Sequence, residues 1–168
     1  MTNYNNQPSA DIRRYIWDNI QTADILSEND YYVDNMPLPL NPIIPAQQVP
    51  EFNDYLPGKT YMLYDFELKQ IPVQWWMSEE SFTLTIISQN YEVINQISSL
   101  MQDLFRRYDE SAVDLNEYLD GDTDFLYHHC VIDSVFSTEP FGNAGDYQVG
   151  SVVFSYNYSR KTGANGRF

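Results

Sequence analysis

Apolar positions along the chain change period three times, and the changes mark out its elements. Ile12, Ile16 and Ile20 recur every four residues with Tyr15 close by, the spacing of one helical stripe. Ser9 stands where it would cap that helix, and Asp11 falls near its N-terminus, where the backbone dipole favours an acid. From Lys59 the period falls to two. KTYMLYDFELK puts Met62, Tyr64, Phe66 and Leu68 on one side, IPVQWWM is a second apolar run beginning at a proline, and SFTLTIIS sets Phe82, Leu84 and Ile86 against threonines. Alternation of this kind predicts strands with one face turned inward.

The period then returns to that of a helix. In NYEVINQISSLMQDLFRRY, the residues Val93, Ile94, Ile97, Leu100, Met101, Leu104, Phe105 and Tyr108 recur at three and four, with polar residues opposite. This predicts an amphipathic helix of about five turns, capped by Asn90 and ended by Arg106 and Arg107. DESAVDLNEYL adds a short helix. FLYHHCVIDSVFS and YQVGSVVFSYNYS read as two long strands, joined by the turn TEPFGNAGD. One helical stripe covers one sheet face. The expected fold is therefore a single α+β domain over residues 1–168: a mixed or mostly antiparallel sheet covered on one face by the long helix, with an N-terminal helix and a long proline-rich loop. Residues 1–8 and 159–168 read as flexible ends.

That loop, residues 27–57, holds Pro37, Pro39, Pro42, Pro45, Pro50 and Pro57. Proline at this density forbids helix and interrupts sheet pairing. The segment is nevertheless apolar, carrying Met36, Leu38, Leu40, Ile43, Ile44 and Phe52. Two readings follow: it wraps its own domain, or it is an extended arm laid on a neighbouring subunit. Trp75 and Trp76 are adjacent, so in a strand they face opposite sides, and one of them reaches an outer face where aromatics favour contacts. These eight residues are the candidate interface.

Charge narrows the partners. With 9 Lys+Arg against 24 Asp+Glu the net charge is -15, a field that repels phosphate backbones and anionic membrane surfaces. No apolar run approaches the roughly 20 residues of a membrane helix, and the polar MTNYNNQPSA is unlike a secretory signal. The one cysteine fits a reducing compartment.

Candidate chemistry concentrates in DGDTDFLYHHC. Asp120, Asp122 and Asp124 match the first three acidic positions of a calcium loop, but Phe125 and Val131 stand where glycine and glutamate belong. His128 and Cys130 share one face of a strand while His129 points away, so zinc lacks a converging ligand set. Cys130 as nucleophile would need His128 as its base. The chain has no GxGxxG, GxxxxGK, GxSxG or HExxH. Carboxylate pairs such as Glu79-Glu80 and Asp109-Glu110 read as solvated surface. The expectation is no catalytic residue, no metal and no cofactor.

The order of elements resembles one family. A short helix, a long loop, strands, the passage SFTLTIISQNYEVINQISSLMQDLFRRY and the closing strands FLYHHCVIDSVFS and YQVGSVVFSYNYS are similar to the tail terminator or tail-completion proteins of tailed bacteriophages, over roughly residues 9–158. The resemblance implies a structural virion protein made in the host cytoplasm. It would form a homo-oligomeric ring, usually of six copies, which caps the tail tube, meets the neck proteins and lets genomic DNA pass without binding it specifically. The long segment 27–57 also suits a neck connector. A stand-alone acidic domain with a binding pocket between sheet and helix is the competing class.

Overall fold

The computed structural model describes residues 7–32, 37–48, 58–69, 76–140 and 147–161. Helix α1 (Pro8–Thr22) buries Ile12, Tyr15, Ile16, Trp17 and Ile20. It starts earlier than a Ser9 cap implies. Gln7 is the N-cap, and Pro8 opens the first turn, where its fixed φ suits the helix and its missing N–H has no partner to lose. Ser9 is buried within that turn.

Strands β1 (Ile43–Pro45), β2 (Tyr61–Lys69) and β3 (Ser78–Ser88) follow, then helices α2 (Tyr91–Phe105) and α3 (Asp109–Leu119), then β4 (Phe125–Pro140) and β5 (Gln148–Arg160). The five strands form one sheet in the order β1-β2-β3-β5-β4. β1 runs parallel to β2 and the other neighbours are antiparallel. The fold is thus α+β, with three helices and a five-stranded mixed sheet among the described residues.

β1 lies inside the proline-rich segment that was read as irregular. The prolines tolerate it because it is three residues long and sits at the sheet edge. The Ile43 amide donates to Asn41 Oδ1 at 2.9 Å, and the Pro42 carbonyl accepts from the Met62 amide at 2.9 Å. Of the run IPVQWWM, residues 71–75 lie outside the described residues, and Trp76 is in a turn.

The core lies between one sheet face and the helices. Register places Phe82 beside Phe154, Leu84 beside Val152, and Tyr64 beside Leu84. α2 buries Ile94, Ile97, Met101 and Phe105 onto this face, and the Asn90 side chain accepts from the Glu92 amide at 3.0 Å as its cap. The Phe105 ring stacks on Phe154 at 4.1 Å, and Tyr15 of α1 meets Phe105 edge-on at 6.0 Å.

α2 spans 15 residues, about four turns rather than five. Arg106 closes it, and Tyr108 adopts φ 55° before α3 begins at once. Arg107 does not serve the C-terminus of α2; its guanidinium lies 3.4 Å from Glu110 and 2.7 Å from Asp114 of α3. Asn116 of α3 bonds both the amide and the carbonyl of Tyr127, which fixes α3 on β4.

Truncating the central ring, Phe154→Ala, is expected to cost about 3–5 kcal/mol in urea unfolding. Asn90→Ala, which removes only a cap, is expected to cost about 1 kcal/mol. A smaller loss for the Phe154 variant than for the cap variant would remove the stack from the centre of this account.

Candidate functional site

The acidic stretch does not converge. Asp120 is the C-cap of α3, in left-handed conformation at φ 44°. Asp122 pairs with Arg14 at 2.9 Å. Asp124 gives its carbonyl to the Lys161 amide. A bulge between Tyr127 and His129 separates the three residues that follow. His128 Nε2 lies 2.8 Å from Ser159 Oγ, and His129 Nδ1 lies 3.1 Å from Asp109 Oδ1. Cys130 is buried in the core, and burial pushes its thiol up to about 12. The thiolate a nucleophile needs is therefore absent near neutrality. Among the described residues no three of His, Cys, Asp or Glu stand as a metal would require.

The candidate interface residues part company. Met36, Phe52 and Trp75 lie outside the described residues. Leu38 is 71% exposed. Leu40 packs on the core and its amide donates to the Tyr31 carbonyl at 2.8 Å. Ile43 and Ile44 are buried in the chain's own core, because β1 carries them onto β2 beside Met62 and Leu63. They are corrected from arm residues to core residues: a strand in the same domain supplies the surface that a neighbour was expected to give. Trp76 is half-buried, its ring edge-on to His128 at 5.7 Å.

One cluster escaped the sequence reading. Glu80, read there as solvated surface, is 3% exposed. It lies on the same side of β3 as Phe82, Leu84 and Ile86, under the helices. The Tyr156 hydroxyl donates to its carboxylate at 2.8 Å and that of Tyr158 at 3.3 Å. Beside them the Tyr127 hydroxyl reaches Asp11 at 2.9 Å, and Thr123 donates to the same carboxylate oxygen. Burial raises the pKa of both acids, against the hydrogen bonds that hold them ionised. Burial also raises Tyr158 to about 12. These groups join α1, β3, β4 and β5 through polar contacts, and their donors and acceptors are spent on each other. The visible signal was the strand start: extending β3 back from Ser81 to Ser78 puts Glu80 on the apolar side.

A groove of about 460 Å³ runs beside this cluster between α1 and the turn after α3, lined by Gln7, Asp11, Arg14, Asp122, Thr123 and Phe125. Arg14 is committed there to Asp122, with Asp11 at 3.7 Å, so among the described residues the groove offers no free cation to an anion. The opposite sheet face carries small polar residues, among them Ser81, Thr83, Thr85, Ser151 and Asn157, all half-buried. Ser155 on that face donates to Asp133 and lies 3.4 Å from Lys69 Nζ, linking β2, β5 and β4.

No protein-family model and no curated protein matches this chain. No helix among the described residues is long and apolar enough to cross a membrane.

The buried acids set a pH dependence of fixed sign. A carboxyl whose folded pKa is raised adds stability below its unfolded value, about 4.3 for Glu, and loses it as pH rises through the folded value. His128, lowered by burial, acts oppositely below about 6.5, so the Glu80 contribution is read by difference. Glu80→Gln is expected to melt higher than the wild type at pH 8, with the gap closing toward pH 4. A gap that does not change with pH removes Glu80 as a buried acid. In the stretch 120–130, where no metal-like group of ligands stands among the described residues, melting is expected to be the same in chelator, calcium and zinc; a rise of many degrees with either ion would mean tight binding.

Proposed function

We propose that this chain is a structural protein of a tailed-phage virion, a tail terminator whose copies form a ring that caps the tail tube and joins it to the neck. The observation that carries this reading is a sheet with helices on one face and small polar and acidic residues on the other. An enzyme with an enclosed pocket between the layers has no comparable use for such a surface, whereas a ring subunit does. The sheet–helix space is filled by Phe105 against Phe154, which weighs against a binder with its pocket there.

In this reading α2 is the long amphipathic helix of the family pattern. Leu38, exposed in segment 27–57, is then the residue offered to the next copy. The face away from the helices carries Asp65, Glu67, Glu79 and Asp133 against Lys69. An acidic surface of this kind facing a lumen would let DNA pass without adhering, since each neutralised phosphate is what makes binding tight. Assembly takes place in the host cytoplasm and the finished ring resides at the tube–neck junction. A hexamer is the expected copy number.

Imaging of intact particles with tagged chain tests this. Density at the tube–neck junction is expected. Absence of the chain from purified virions would overturn the tail assignment and favour the stand-alone binder.

A further inference from the structure

Among the described residues both edges of the sheet lack a partner strand over part of their length, and the two stretches fit one another. On one side β1 covers β2 only from Met62 to Tyr64, which leaves Asp65–Lys69 without an outer strand among the described residues. On the other side β4 pairs with β5, and its outer edge meets only the isolated bridge from Tyr108 to Cys130. Among the described residues, 131–136 have no outer strand beyond that bridge. Each opening bears large apolar side chains: Phe66 at 39% and Leu68 at 62% exposure on β2, Val135 at 40% and Phe136 at 56% on β4.

We propose that residues 65–69 of one copy add as a strand to residues 131–136 of the next. This rests on the ring reading and names its interface. Strand direction allows it. β2 is antiparallel to β3, β3 to β5 and β5 to β4, so β2 and β4 run oppositely. A second copy in the same orientation therefore brings β2 beside β4 in the antiparallel sense, where two-sided backbone hydrogen bonding is natural.

Facing side chains fix the register. Phe66 stands beside Phe82 and Val135 beside Val152, so both lie on the helix-covered side. Opposing them places Glu67 against Ser134 and Asp65 against Phe136. Lys69, the cation of its strand end, then falls diagonally beside Asp133, the one charge within residues 131–136. A groove of about 250 Å³ lies beside Val135 under α2, lined by Tyr91, Ser98 and Gln102, and Phe66 of the neighbour projects over it. Within one sheet Phe66 is level with Ile132; with the bulge at Asp133, this pairing slides the copies by about two rungs of the ladder, roughly 7 Å. Closed sheets take up such a stagger by tilting their strands. The two patches differ and lie on opposite edges, so the contact is heterologous, the kind that builds a ring when the rotation between copies closes.

The test joins cysteines across the contact. Phe66→Cys and Val135→Cys are placed on one chain and treated with a short bis-maleimide at high salt. Cys130, buried in the core, stays unreacted in the wild type. A ladder of covalent multimers beyond the dimer is expected from the double variant and no product from either single variant. Leu68→Lys is expected to abolish association in sedimentation without changing melting. Dimers from a single variant would mean two-fold edge pairing and overturn the proposal. Wild-type oligomers without a ladder overturn it and leave the ring reading standing. A ladder from a protein absent from virions keeps the pairing and removes the tail reading. A monomeric wild type with no ladder removes the pairing together with self-assembly of the free chain.

Discussion

Phe105 is the point at which every layer of this molecule meets. Its ring stacks on Phe154 at 4.1 Å, Phe154 on Phe82 at 5.0 Å, and Phe82 on Tyr64 at 5.5 Å. That file crosses β5, β3 and β2, and Tyr15 brings α1 onto its helical end. Offset aromatic pairs add on the order of 1 kcal/mol each beyond their buried area. The larger consequence is geometric. A stack fixes distance and tilt together, so α2 cannot slide on the sheet without separating rings. The alternation that puts Phe82 and Phe154 inward leaves serine and threonine on the other side, and the polar face follows from the same constraint that builds the core.

Beside the stack the interior turns polar. A core that could have ended in leucines holds Glu80 with two tyrosine hydroxyls, and Asp11 with a third. Buried acids cost stability unless their hydrogen bonds are made. What they supply here is register. Glu80 accepts from alternate residues of β5, and Asp11 from β4 and the turn before it, so a slip of either strand by one residue would strand a carboxylate in the interior. A hydrophobic patch in the same place would tolerate that slip far better.

Much of this was legible in the sequence, and the failures have physical causes. Period-two alternation located β2 and β3, and helical spacing located α2 together with the Asn90 cap, because burial on one side writes itself into residue order. β1 was hidden because three residues are too few to show a period, and because prolines count against a strand except at an edge that only the fold reveals. Glu80 was hidden because a charged pair next to a strand looks like its end. Its neighbour Glu79, half-buried on the other side, does conform. His128, His129 and Cys130 looked like one cluster because adjacency in sequence is not adjacency in space; a bulge and strand alternation send them to three settings. Ile43 and Ile44 looked available for a partner for the same reason that β1 looked absent.

Open strand edges are a hazard, since any exposed row of amides and carbonyls invites pairing with another chain. This chain guards its edges unevenly. Tyr108, held at φ 55°, is forced into a backbone region that bulky residues avoid, and the strain places its carbonyl where it accepts from the Cys130 amide. β1 does the equivalent for the start of β2. Among the described residues both guards stop partway along their strands. What remains is protected by charge: with a net -15 on every copy, random edge-to-edge encounters are repelled, and the repulsion weakens within about 10 Å at moderate salt. Only an approach that matches strand direction and sets Lys69 near Asp133 recovers hydrogen bonds and apolar contact together. The acidic surface and the partial edge guards thus act in the same direction. They suppress indiscriminate pairing while leaving one specific geometry open.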